Sequence, residues 1–140
     1  EALAESAKSL VWDRHELPGQ PRTTYEFEKE CSSLRRNTAL LAAYLRSIDV
    51  KGLVKVFKRP LEAETIASVA VGLEHELAQE EPSFSTSVVL LKGLAKAPSI
   101  KMTMMMLAAA DTARLRGVIE KLKAAGKPKA AAELKKKFGL

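Results

Sequence analysis

Cysteine is nearly missing. Cys31 stands alone, so no internal disulfide can form, and the thiol content suits a reducing cytosol. Histidine is as scarce: one cysteine and two histidines, His15 and His75, cannot supply four ligands to a structural zinc. Both histidines open a His-Glu-Leu stretch, but Gly19 and Gln79 stand where a zinc-protease helix needs its second histidine. The 7 glycines stand singly, so no loop offers successive backbone amides to a phosphate. Acids two apart, such as Glu62 with Glu64 or Glu74 with Glu76, point to different helix faces and do not make an acid/base pair. Long apolar runs are also absent. The longest, Met102 to Ala110, is interrupted by Thr103 and falls short of the roughly 18 residues that cross a bilayer. The opening EALAESAKSL has neither a basic nor an apolar signal-peptide region. The expectation is a cytoplasmic, non-enzymatic chain without a metal or cofactor.

What is present is helix-forming. The composition is 46% hydrophobic, 29% charged and only 5% aromatic, enough apolar surface for one core over 140 residues. The net charge of +6 is unevenly placed: residues 101–140 hold 10 Lys or Arg against 3 Asp or Glu. Six acids lie between Glu62 and Glu81 with no Lys or Arg among them. The lysine-rich end has little arginine and only Phe138 as an aromatic, which fits an acidic protein partner better than nucleic acid.

Apolar spacing predicts an all-α fold, a compact bundle of about seven or eight short helices over residues 23–140, preceded by a linker with a marginal helix over 1–22. Thr23 with Glu26 reads as a capping box for a helix burying Phe27, Cys31 and Leu34. Asn37 or Thr38 caps the next, with Leu40, Leu41, Tyr44, Leu45 and Ile48 as its stripe. Asp49 is expected to cap a short helix with Val50, Leu53, Val54 and Phe57 inward, stopped by Pro60. A helix over about 61–79 buries Ile66, Val69, Ala70, Leu73 and Leu77 and turns its acids outward. Pro82 is expected in the first turn of a helix bearing Phe84, Val88, Leu91 and Leu94, and Pro98 separates that helix from the methionine segment. Two last helices carry Leu115, Val118, Ile119 and Leu122, then Leu134 and Phe138, with Gly126 and Pro128 between them.

The segment SIKMTMMML holds all 4 methionines in five consecutive positions. Methionine fills irregular cores and also grips partners, so periodicity leaves both a buried helix and a binding face open. Met102 and Met106, four apart, share one side, and Met104, Met105 and Leu107 are expected to turn toward the core.

Four stretches in order, PRTTYEFEKECSSLRR, YLRSIDVKGLVKVFKRPLEAE, LLKGLAKAPSIKMTMMML and AAELKKKFGL, resemble the C-terminal domain family of RNA polymerase II-associated protein 3. Sperm-associated antigen 1 and coiled-coil domain-containing protein 103 belong to it. Ser99 stands where that family often has arginine, and Ala108 where it usually has a serine cap. The resemblance implies a co-chaperone adaptor domain that docks on RuvB-like AAA+ ATPases, linked indirectly to the 90-kilodalton heat-shock chaperone. The implied task is cytoplasmic pre-assembly of axonemal dynein or other large complexes. The implied partner-binding positions are Ser99, Met102 and Met106, with Lys101 assisting. A different class of function, a structural or oligomerisation domain of a ciliary assembly factor without ATPase binding, is favoured by Ser99.

Overall fold

The computed structural model describes residues 17–140, so the marginal helix expected near the start lies outside the described residues. Eight helices and no strand occur among them: α1 (Thr24–Leu34), α2 (Thr38–Ser47), α3 (Val50–Val56), α4 (Ala63–Leu77), α5 (Phe84–Leu94), α6 (Ile100–Met105), α7 (Ala109–Ala124) and α8 (Pro128–Phe138).

The central element is α4, which packs against α1, α2 and α7. Ile66, Val69, Ala70, Leu73 and Leu77 are buried as their spacing predicts, but so are Thr65, Ala67, Ser68, Gly72 and Glu76, because α4 has neighbours on several sides. Small residues permit that crowding. A Cβ on Gly72 would lie 2.6 Å from Leu45 Cδ1 and 3.0 Å from Leu41 Cγ, so α2 and α4 meet where glycine has no side chain. The acids therefore do not all face water. Glu76 is buried, paired with Arg46 and accepting the Ser83 N–H at 2.9 Å.

Helix starts follow local chemistry with some shifts. Thr23 Oγ1 accepts the Glu26 N–H at 3.0 Å, while Glu26 Oε1 accepts from Arg22 N rather than Thr23 N, at 2.8 Å. Asn37 caps α2 by accepting the Leu40 N–H at 3.1 Å. Asp49 precedes α3 without a side-chain cap bond, and Val50 and Val54 are only half-buried, while Leu53 and Phe57 are buried. Pro82 lies outside α5: Ser83 is the N-cap, its N–H being taken by the Glu76 carboxylate, and Phe84 is half-buried rather than inward. At the end of α7, Gly126 adopts φ +91°, and the Lys127 N–H donates back to the Leu122 carbonyl at 3.1 Å, closing the helix as a left-handed C-terminal turn.

Polar side chains fasten the loop between α3 and α4 to α1. Thr24 Oγ1 donates to the Val56 carbonyl at 2.7 Å and accepts the Lys58 N–H at 3.1 Å. Buried Glu28 accepts from Glu62 N at 2.7 Å and Thr65 Oγ1 at 3.0 Å, and pairs with Arg59 at 2.6 Å. Phe57 meets Phe27 edge to face, with ring centroids 6.1 Å apart.

Candidate functional site

α6 is a short helix wedged between that loop and α8. Its entry is unusual: Ser99 sits in the left-handed region at φ 53°, ψ 37° and contributes no side-chain cap bond. Buried Ile100, Thr103, Met104 and Leu107 follow at i, i+3, i+4 and i+7, one helical face turned to the core. Thr103 Oγ1 donates to the Leu61 carbonyl at 2.9 Å, so α6 is seated by a buried hydrogen bond as well as by apolar contact.

The opposite face has no such cover. Met102 is 67%, Met105 84% and Met106 80% exposed. Met104 and Leu107 enter the core as expected, and Met105 does not. Its place is i+3 from Met102, and residues at i, i+3 and i+4 share a face, so the interior side of α6 has no room for a fifth residue. That i+3 spacing is the feature of the sequence that groups Met105 with Met102 and Met106 rather than with Met104. Three adjacent thioether side chains in water form a contiguous apolar patch, which is uncommon on a soluble surface without a partner.

Ser99 and Lys101 are both exposed and line an open hollow of about 630 Å³ between the end of α5, α6 and α8, beside Glu133, Lys136 and Lys137. The four residues implied by the resemblance are thus adjacent on one short segment, but they divide into two surfaces: methionines outward, Ser99 and Lys101 against the lysines of α8. The basic excess there is partly paired. Lys135 pairs with Glu120, and the hydrogen bond from Lys135 holds that exposed carboxyl below its ordinary range.

Bond-making chemistry finds little support around the patch. Cys31 is fully buried, and burial, reinforced by Glu28 and Glu30, pushes its thiol far above the ordinary range. His75 sits with Nδ1 3.3 Å from Thr38 Oγ1. Among the described residues no three His, Cys, Asp or Glu side chains converge, and no helix is long and apolar enough to cross a membrane. What the arrangement can do is bury methionine against another protein.

A family model described as the potential Monad-binding region of RPAP3 matches residues 20–112, which include the whole of α6. The NMR structure of the C-terminal domain of the human RPAP3 protein is similar in fold, with a TM-score of 0.77 at 18% sequence identity. The likeness covers 94% of this chain and 97% of that one. No curated protein matches the sequence.

Proposed function

This chain belongs to the RPAP3 C-terminal family, and from that premise we propose that its methionine face docks on RuvB-like AAA+ ATPases. The coarser statement is that of the family: a protein-interaction adaptor domain. The finer one rests on a single observation, that α6 turns Met102, Met105 and Met106 to solvent while buried Thr103 and Met104 anchor it to the core. Each methionine buried on binding contributes about 1.5–3 kcal/mol, so a cluster of three can dominate a modest interface. Lys101, Lys136 and Lys137 line the separate hollow beside Ser99, where charges assist encounter and orientation more than affinity. Ser99 adds backbone shape rather than charge at that rim.

In the cell, such docking would connect the ATPase ring to clients, and indirectly to the 90-kilodalton heat-shock chaperone, in cytoplasmic pre-assembly of axonemal dynein or another large complex. Changing Met102 and Met106 together to Glu should abolish capture of purified RuvB-like ATPases, while circular dichroism and melting stay near wild type because both side chains are already exposed. Retained capture would overturn the reading. A Monad pull-down run beside it decides between the two partner classes, since the family's description names Monad for RPAP3.

A further inference from the structure

A second surface lies between α3 and α5, which pack side by side. Their facing residues form a groove of about 430 Å³. Its floor is apolar. Val50 and Val54 of α3 come at i and i+4, and Val89 and Gly93 of α5 at the same spacing. Gly93 lets the two helices close together, because a Cβ there would fall 2.4 Å from Val50 Cγ1. Val89 is 50% exposed although its helix is otherwise well packed.

Both rims are cationic. Lys51 and Lys55 stand on one side and Lys92 and Lys96 on the other, again each pair at i and i+4. Neither α3 nor α5 carries an acid. Lys92 reaches Glu133 of α8 at 3.5 Å, whereas Lys51, Lys55 and Lys96 have no acidic partner within ion-pair distance among the described residues.

We propose that this groove is a docking site for an acidic amphipathic helix of a partner protein, separate from the methionine face. Charge complementarity selects the occupant. A helix with an apolar row for the valine floor and Glu or Asp on both flanks would satisfy the two lysine rows at once. A phosphate backbone would leave the valines uncovered, and no arginine lines the groove to form bidentate contacts. The site lies on α3 and α5 and not on α6, so it stands or falls independently of RuvB-like ATPase docking.

The test uses the purified full chain and a synthetic fluorescent peptide of about four helical turns, with Leu at i and i+4 and Glu on both flanks. Anisotropy should show saturable binding that weakens with salt, and amide shifts of the isotope-labelled chain should cluster at Val50, Lys51, Val54, Lys55, Val89 and Lys96. Val89→Glu and the double change Lys51→Glu with Lys55→Glu should each weaken binding about tenfold or more, equivalent to about 1.4 kcal/mol, with melting unchanged because these side chains are exposed or half-exposed. Met102→Glu with Met106→Glu should leave it intact. Equal binding of a scrambled peptide of the same composition, tighter binding of polyuridylate, shifts confined to α6, or no saturable binding would each overturn the proposal. So would a concentration-dependent dimer in sedimentation that Val89→Glu abolishes, which would make a second copy the occupant.

Discussion

Glu28 and Glu76 are acids taken out of water, and both hold chain segments distant in sequence. Glu28 satisfies the Glu62 N–H and the Thr65 hydroxyl from more than thirty residues away. Glu28→Ala leaves those donors without an acceptor, and urea denaturation should show a loss of about 2–3 kcal/mol. Surface glutamates such as Glu64 should cost far less, because exposed ion pairs contribute little. Neither buried acid was legible in the sequence. Helical periodicity separates faces, and it cannot say that a loop will cross a face and bring donors to a carboxylate. Cys31 is the contrary case: its place on the apolar stripe of α1 shows in the sequence, and the thiol is fully buried. Folding holds its proton, so above the ordinary thiol pKa the unfolded chain binds fewer protons than the native one, and stability contributed by this group falls as pH rises. At neutral pH the native thiol should resist iodoacetamide and react only in denaturant; rapid native labelling would contradict the burial.

Among the elements, glycine has opposite meanings in two helices. Gly117 lies on the exposed side of α7 with nothing within 4 Å of a Cβ, so Gly117→Ala should stabilise the fold by about 0.5–1 kcal/mol through helix propensity alone. Gly72→Ala gains the same propensity but must displace Leu45 and Leu41 in the core. Overpacking costs about 1–3 kcal/mol, so the net change is destabilising. Urea midpoints of the two variants should move in opposite directions. The start of α7 offers a third case. Ala108 is its N-cap in extended geometry and makes no side-chain bond. Ala108→Ser should accept an orphan N–H and raise stability by about 1 kcal/mol, seen as a higher urea midpoint with unchanged m-value. Its absence from the cap is visible in the sequence, as is the left-handed exit of α7 at Gly126. The left-handed entry of α6 at Ser99 is not, because serine rarely adopts that conformation and nothing local in the sequence calls for it.

Over the whole molecule, the fold reaches back across the expected linker. Gln20 donates to the Ser47 carbonyl at 2.9 Å and accepts the Asp49 N–H at 2.8 Å, clasping the turn between α2 and α3. A chain beginning at residue 23 should therefore unfold about 1–2 kcal/mol more easily than one beginning at 17, by thermal or urea denaturation. The all-helical class, the order of eight helices and nearly every core position follow from apolar spacing and caps, which are local and read in a single pass along the chain. That Met102 and Met106 share one side of α6 follows from the same geometry. What the chain alone leaves open is which face of a short helix finds neighbours. Only the assembled bundle turns Met105 out, brings Lys136 and Lys137 beside Lys101, and lays two lysine rows along a valine groove. The reason is physical: periodicity sets the angle between side chains on one helix, whereas burial depends on where other helices come to rest.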